Sequence, residues 1–160
     1  MYELEEKRDQ IFQFIDGLTD EQAATRPSEE EWSILETLEH LFLIEKSVVK
    51  GLNHVMKTGE QATAKSKPIH RTTDRSHKVE APERLRPAGR FTTLSEAKDA
   101  LVKSREATLF LVHNKDKATL EKYTMPHPAF GDMTLDQWVE FIGWHELRHL
   151  EQMKEVEKAL

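Results

Sequence analysis

Apolar residues recur along most of this chain at steps of three and four, which places them on one face of an α-helix. This spacing predicts four amphipathic helices, over about residues 3–16, 32–57, 94–116 and 134–158. No alternation of apolar and polar residues is long enough to indicate a strand of a β-sheet. We therefore expect an all-α fold in which the four helices bury their apolar faces against one another as a bundle.

The helix starts and one long connection refine this prediction. Ser33-x-x-Glu36 and Thr134-x-x-Gln137 have the pattern of capping boxes, which begin a helix by pairing its free N–H groups with side chains. Residues 58–92, between helices 2 and 3, are rich in Pro, Thr, Lys and Arg and show little periodicity. Such long connections are uncommon in compact domains, and a long crossover is one way in which a bundle changes its connectivity. The prediction is a four-helix bundle with a long crossover between helices 2 and 3.

The fourth predicted helix places two histidines where apolar residues are expected. The apolar positions Leu135, Trp138 and Ile142 continue, at the same steps, onto His145 and His149. Histidines four residues apart lie one turn above the other on a helix, with Cβ atoms about 5–6 Å apart. Two polar rings on a buried face need compensation, which a shared metal ion supplies. We interpret the pair as metal ligands rather than as core histidines satisfied by hydrogen bonds.

A third ligand has to come from another helix, and His40 is the best candidate. It lies on the flank of the apolar face of helix 2, which brings it beside helix 4 if the two helices pack side by side. Three neutral imidazoles with an open fourth position are typical of catalytic zinc, and ligand softness also admits nickel, iron or copper. Taken alone, a core histidine such as His40 is more often a hydrogen-bonding residue than a ligand. The three histidines together predict a metal site.

The same helix contains a named motif. Residues 145–149 (HELRH) match the H-E-x-x-H pattern of zinc peptidases, whose glutamate is the general base. We expect no peptidase of that kind, because few residues follow His149 to supply a downstream ligand and no edge strand is predicted to hold a peptide. Glu146 remains a candidate general base, and the alternative is a rim glutamate paired with a lysine. His127, just before helix 4, is interpreted as a loop residue.

Composition narrows the partners of such a protein. The 160 residues carry a formal net charge of -6, which argues against nucleic-acid binding because basic surfaces bind nucleic acid. The chain contains no cysteine, which excludes disulfides, thiolate ligands and a cysteine nucleophile. No segment approaches the ~20 apolar residues of a membrane span, and no signal peptide is predicted at the charged N-terminus. We expect one domain over residues 1–160, in the cytoplasm and without membrane contact.

Several segments together are similar to one family. They are residues 32–34 (WSI), which lead into 39–41 (EHL), the Pro-rich crossover, 127–131 (HPAFG) and 144–152 (WHELRHLEQ). These segments resemble the DinB/YfiT-like superfamily, and specifically its DinB-like metalloenzymes, over nearly the whole chain. The resemblance implies a four-helix bundle with a long crossover after the second helix.

The resemblance also implies a site and a range of activities. The metal triad of the family, one histidine of the second helix and two of the last, corresponds here to His40, His145 and His149. Family members include metal-dependent S-transferases or isomerases that use a low-molecular-weight thiol, and proteins described only as metal-dependent hydrolases. Dimers are common among them. The implied cofactor is a divalent metal ion, zinc or nickel, and the implied partners are a small-molecule substrate and a second copy of the chain.

Three functional hypotheses follow. The first is an S-transferase in which the metal binds and deprotonates a low-molecular-weight thiol such as bacillithiol, and the lack of a protein cysteine agrees with it. Arg105 on helix 3 is a candidate for binding the carboxylates of that thiol. The second hypothesis is a metal-dependent hydrolase with Glu146 as base, and the third is a non-catalytic, metal-stabilised bundle that binds a small ligand or a partner helix. Further candidates for carboxylate binding are the crossover residues Arg71, Arg75, Arg84 and Arg86.

Overall fold

Four long helices dominate the computed structural model of the protein, which describes residues 2–160. The α-helices, in chain order, are α1 (Leu4–Asp16), α2 (Asp20–Ala24), α3 (Ile34–Thr58), α4 (Leu94–Asn114), α5 (Lys117–Leu120) and α6 (Leu135–Lys158). The long helices α1, α3, α4 and α6 are the four that the apolar spacing predicts, and their ends agree closely with the prediction. Helix α3 packs against α4 and α6, and α1 packs against α6. The predicted four-helix bundle is confirmed.

The two predicted capping boxes differ in the structure. At the start of α3 the Ser33 side chain accepts from the Glu36 N–H, and the Glu36 carboxylate accepts from the Ser33 N–H, so the box is complete. At the start of α6 the Thr134 side chain accepts from the Gln137 N–H, but the Gln137 side chain does not return to Thr134. Its amide instead bonds to the backbone of Lys67 in the crossover. A tertiary contact has therefore replaced half of the second box.

A short β-hairpin precedes α6, contrary to the prediction that no strand is present. Strand β1 (Thr124–His127) pairs antiparallel with β2 (Gly131–Thr134), and His127 lies opposite Gly131. Gly131 has a φ of 74°, which a residue with a side chain rarely adopts. Each strand has only four residues, and Met133 is the one buried residue of the two strands. Strands this short, with a single buried residue, leave no alternating pattern in the sequence.

The crossover between α3 and α4 is held along the bundle by side chains of the long helices. It contains two 3₁₀ turns, Ile69–Thr73 and Glu83–Leu85, and the first of them packs along α6. The Arg148 guanidinium of α6 donates to the carbonyls of Thr72, Asp74 and His77. Further along the crossover, the backbone N–H groups of Ala88 and Arg90 donate to the carboxylate of Glu39 in α3. The predicted crossover thus follows a defined path over the bundle. Within residues 2–160, no helix combines the length and the apolar character that crossing a membrane requires.

Candidate metal centre

Three histidine side chains converge between α3 and α6. His40 lies in the second turn of α3, and His145 and His149 lie one turn apart on α6. The Nε2 atom of His145 is 3.3 Å from Nε2 of His40 and 3.1 Å from Nε2 of His149. All three side chains are buried, with exposed fractions of 4%, 8% and 8% in chain order. The structure brings together the three residues that the sequence predicts as ligands.

Hydrogen bonds at Nδ1 fix the tautomer of two of these rings. His40 Nδ1 donates to the carbonyl oxygen of Leu85 at 2.8 Å, and His149 Nδ1 donates to Oε1 of Gln152 at 2.7 Å. Since these oxygens only accept, the proton of each neutral ring is on Nδ1 and the lone pair is on Nε2. Metal-binding histidines are held in the same way by an oxygen on the far nitrogen. Leu85 belongs to the crossover, so the sequence could not assign this partner.

The third ring, that of His145, cannot pair both of its nitrogens within the protein. Nδ1 of His145 is the one buried side-chain nitrogen or oxygen that lacks a hydrogen-bond partner among residues 2–160. If that nitrogen carries the proton of His145, three Nε2 lone pairs face one another. If Nε2 carries it, Nδ1 is a buried acceptor without a donor. In both arrangements Nδ1 of His145 stays unpaired, at a cost of about 1–3 kcal/mol. A cation bound by the three Nε2 atoms would remove the repulsion between the lone pairs in the first arrangement.

The distances within the cluster also suit a metal ion. Nitrogen ligands lie about 2.0–2.1 Å from zinc, so neighbouring nitrogens at tetrahedral angles are about 3.3 Å apart. The Nε2 separations of 3.1 and 3.3 Å match this value. The donor set, three imidazoles without a thiolate or a carboxylate, is compatible with zinc and with nickel. The residues present therefore fit a divalent metal ion.

Burial keeps the three rings in the form that binds metal. Loss of hydration places the pKa of His145 and of His149 well below the ordinary value of 6.5, and the neighbouring histidines lower both pKa values further. Burial also lowers the pKa of His40, although its bond to Leu85 opposes this effect. All three imidazoles are neutral at neutral pH, as ligation requires.

Comparison with known proteins decides the family. A sequence model of the DinB superfamily matches residues 3–153. The chain belongs to the DinB superfamily. YuaE of Bacillus subtilis (strain 168), named as an uncharacterized protein, is 37% identical over 155 residues, which cover 97% of this chain and 95% of YuaE. The resemblance stated from the sequence is therefore confirmed.

Two solved structures share the four-helix fold of this chain. TT2238, described as a four-helix bundle protein, gives a TM-score of 0.64 at 20% identity, with 95% of this chain and 93% of TT2238 covered. YfiT from Bacillus subtilis gives a TM-score of 0.62 at 17% identity, with 97% and 82% covered. YfiT is described as a probable metal-dependent hydrolase with an unusual four-helix bundle topology. At these identities the two likenesses show the fold alone.

Glu146 and Arg105 lie together inside the bundle of this DinB protein. Glu146 is 2% exposed, and its two carboxylate oxygens accept from Arg8 at 2.6 Å and from Arg105 at 2.7 Å. Arg105 also donates to Glu45 and to the carbonyl of Leu4. A buried charge has to be neutralised by partners of opposite sign, and here the partners are within the bundle. Both side chains are engaged inside the bundle, and the roles expected from the sequence, Glu146 as general base and Arg105 in binding the carboxylates of a cosubstrate, stay predictions.

These contacts form a closed network of four buried charges. Glu45 accepts from Arg8 and from Arg105, each at 2.8 Å, and Thr108 donates to the same carboxylate. Each of the four long helices supplies one member, and the two positive and two negative charges balance. Arg8 and Glu45 were not predicted from the sequence, although the signal was present. Glu45 continues the apolar steps of α3, as His145 continues those of α6.

The crossover arginines and His127 are placed as follows. Arg75 forms an ion pair with Glu155 at 2.7 Å, so it fastens the crossover to α6. Arg84 bonds to a serine of α3, Arg86 bonds within the crossover, and both are exposed. His127 ends β1 rather than lying in a loop, and its ring packs against side chains of α6. The remaining candidate, Arg71, is exposed.

Aromatic rings border the three-histidine cluster on two sides. The Trp32 ring centroid is 5.2 Å from that of His40, and the Phe141 centroid is 5.4 Å from that of His145. Neither residue was predicted at the site, because apolar spacing indicates a buried side chain but not its neighbour across the bundle. Apolar rings beside the ligands restrict water and lower the local dielectric.

Proposed function

We propose that this DinB protein is a metal-dependent S-transferase that uses a low-molecular-weight thiol. His40, His145 and His149 would hold the ion, zinc or nickel. The observation that carries the proposal is the convergence of three buried Nε2 atoms, which contact one another at 3.1 and 3.3 Å. A bound divalent ion would supply positive charge that neutral imidazoles leave uncompensated, which favours a thiolate over the neutral thiol.

The residues around the cluster favour a nucleophile that arrives with the cosubstrate. The chain has no cysteine to act as nucleophile. In the described part of the chain, the side chains that converge as possible metal ligands are these three histidines, without a carboxylate among them. Glu146, which follows His145 in the sequence, is engaged by two guanidiniums. Leu85 and Gln152 would hold the ligand rings, and Trp32 and Phe141 would limit the access of water.

The first experiment is elemental analysis of untagged protein purified without chelators. We expect about one equivalent of zinc or nickel in the wild type and none in a His145→Ala/His149→Ala variant. His113→Ala is the matched control, because His113 is an exposed histidine of α4 and its loss should leave the metal content unchanged. If the wild type holds no metal even after reconstitution, the proposal is wrong.

The second experiment tests the reaction itself. The metal-loaded protein is mixed with bacillithiol, or with a surrogate thiol, and with the electrophile monochlorobimane. We expect the thiol to be consumed faster by the wild type and by His113→Ala than by the variant without His145 and His149. Equal rates for all three proteins would exclude the transferase while leaving the metal site intact.

A metal-dependent hydrolase is the second candidate. It is supported by the description of YfiT, which shares this fold, as a probable metal-dependent hydrolase. Hydrolysis of an activated ester such as p-nitrophenyl acetate, without added thiol and dependent on the three histidines, would favour this candidate. The homodimer implied by the family resemblance stays a prediction, which light scattering on a size-exclusion column would test.

A further inference from the structure

His127 is a half-buried histidine that the proposed metal site does not use. It ends β1, directly before the hairpin turn, and its ring packs between aromatic side chains. The centroid distances are 4.7 Å to Phe141, 5.0 Å to Phe130 and 5.1 Å to Trp138. Three aromatic contacts and a strand hold this imidazole in one orientation.

The hairpin turn fixes which ring nitrogen of His127 carries the proton. The backbone N–H groups of Ala129 and Phe130 point at Nδ1, with nitrogen–nitrogen distances of 3.0 and 3.3 Å. A backbone N–H only donates, so Nδ1 must present a lone pair and the proton of the neutral ring is on Nε2. Burial lowers the pKa of His127 to about 4, so the ring stays neutral at neutral pH.

The Nε2–H group of His127 is a donor that the protein itself does not use. Within residues 2–160 this Nε2 atom has no hydrogen-bond partner. It is also not a buried atom, because the one buried side-chain nitrogen or oxygen without a partner in that range is Nδ1 of His145. The His127 Nε2 atom therefore faces accessible space. A neutral donor of fixed orientation in a half-buried setting is suited to an oxygen of a small ligand.

His127 is close to the three-histidine cluster. Phe141 packs against both His127 and His145, with centroid distances of 4.7 and 5.4 Å. A positive charge on His127 would also lower the pKa of His145, so the two rings are within electrostatic reach. A ligand held by the histidine cluster thus has a second anchoring group nearby.

We propose that His127 is a specificity-determining residue, which donates its Nε2–H to an oxygen of the molecule bound at the three-histidine centre. The inference rests on the proposed metal site and names a substrate class. It is a small thiol that also carries a carboxylate or carbonyl oxygen a few bonds from the sulfur. The hairpin then selects for the oxygen, while the histidines of α3 and α6 provide the site for the sulfur.

Two substitutions separate the two nitrogens of the ring. Asn places an oxygen near the position of Nδ1, so His127→Asn keeps an acceptor for the hairpin turn and loses the distant donor. Gln places an N–H near the position of Nε2, so His127→Gln keeps the donor and loses the acceptor. A purely structural role predicts that Asn is tolerated and Gln is not, whereas the proposal predicts the opposite for ligand binding.

Binding is measured by titrating cobalt-substituted protein with two thiols and following the thiolate-to-cobalt absorption. The probes are 3-mercaptopropionate and 1-propanethiol, which has a methyl group where the first has a carboxylate. We expect His127→Asn to bind 3-mercaptopropionate about tenfold more weakly than the wild type, the effect of one hydrogen bond to a charged group. Propanethiol affinity should not change, and His127→Gln should stay within about threefold of the wild type for both probes.

The outcomes distinguish this inference from the proposed function. If the wild type takes up cobalt and binds both thiols, but His127→Asn binds 3-mercaptopropionate as the wild type does, the inference is wrong and the metal site stands. If His127→Asn weakens both thiols equally, His127 does not recognise the oxygen of the ligand and the inference is again wrong. If the wild type takes up no cobalt, the proposed function fails and the inference fails with it.

A second measurement needs no metal. A long-range ¹H–¹⁵N correlation spectrum of the metal-free protein at neutral pH reports which nitrogen of His127 is protonated. We expect protonated Nε2 and unprotonated Nδ1. A proton on Nδ1 would overturn the inference, because the ring would then offer the ligand a lone pair instead of a donor.

Discussion

The buried charge network gives the sharpest prediction about stability, through the replacement of Glu45 by leucine. Glu45 is 1% exposed and accepts hydrogen bonds from two guanidiniums and a threonine. Leucine is similar in size, so Glu45→Leu creates little empty space and removes mainly the charge. Arg8 and Arg105 would then share Glu146 alone, which leaves one uncompensated positive charge inside the bundle.

The expected cost follows from that burial. Removing one partner of a buried ion pair lowers the free energy of unfolding by about 3–5 kcal/mol. The whole domain is expected to be stable by about 5–15 kcal/mol, so a large part of its stability is lost. For a chain of this length, such a loss lowers the melting temperature by about 6–20 °C.

The assay is urea unfolding followed by far-UV circular dichroism, with Lys98→Ala as the control. Lys98 pairs with Asp16 across the surface, with side chains 41% and 62% exposed. An exposed pair contributes about 0–1 kcal/mol, so Lys98→Ala should scarcely move the urea midpoint. The difference between the two variants measures what burial adds to an ion pair in this fold.

A second substitution tests the cause of the loss. Arg8→Met added to Glu45→Leu restores the charge balance, because Arg105 and Glu146 remain as a pair at 2.7 Å. We expect the double variant to be more stable than Glu45→Leu alone, since a balanced buried pair costs less than an unpaired charge. The reasoning is refuted if Glu45→Leu lowers the free energy of unfolding as little as Lys98→Ala does. It is also refuted if adding Arg8→Met lowers the free energy of unfolding of the Glu45→Leu variant further.

Three further predictions concern the site and the crossover. Chelation should lower the melting temperature of the wild type and leave a His145→Ala/His149→Ala variant unchanged in differential scanning fluorimetry, and equal shifts would contradict the metal site. Because burial depresses the pKa of folded His127 to about 4 from 6.5, the unfolded chain binds the proton first as the pH falls. The stability that neutral His127 contributes is therefore fully present above pH 6.5 and is lost as the pH falls toward 4. Between these pH values the urea midpoint of His127→Asn should change less than that of the wild type. Arg148→Ala removes hydrogen bonds to three carbonyls of the crossover, so limited proteolysis should cut residues 72–77 faster than in the wild type, and unchanged cleavage would show that the crossover is held without Arg148.

The helices and two of the ligands could be predicted from the sequence because both depend on local spacing. Apolar steps of three and four residues define one face of a helix whatever packs against it. His145 and His149 were recognisable because they interrupt that face at the expected positions. The ends of α6 and the N-cap at Thr134 were predicted for the same reason.

The same spacing also places charged residues on the buried faces of two helices. Glu45 lies on the apolar face of α3, and Arg8 lies on the apolar face of α1. A charged residue at such a position signals a buried partner, but the partner is on a different helix and far away in sequence. From the sequence, Glu146 was interpreted as a base beside a metal ion and Arg105 as a residue that binds a cosubstrate. The structure pairs these two residues with each other.

Tertiary structure alone decided how these positions pair. Leu85 binds His40 across 45 residues, and Arg8 reaches Glu146 across 138, separations at which no sequence period carries information. The hairpin that orients His127 is too short to have a pattern of its own, and it forms where α6 and its neighbours support it. The sequence by itself determined which residues face inward, since that depends on the helical repeat. Which inward residues meet depends on how the helices are placed against one another. That placement decided the charge network and the partners of the metal ligands.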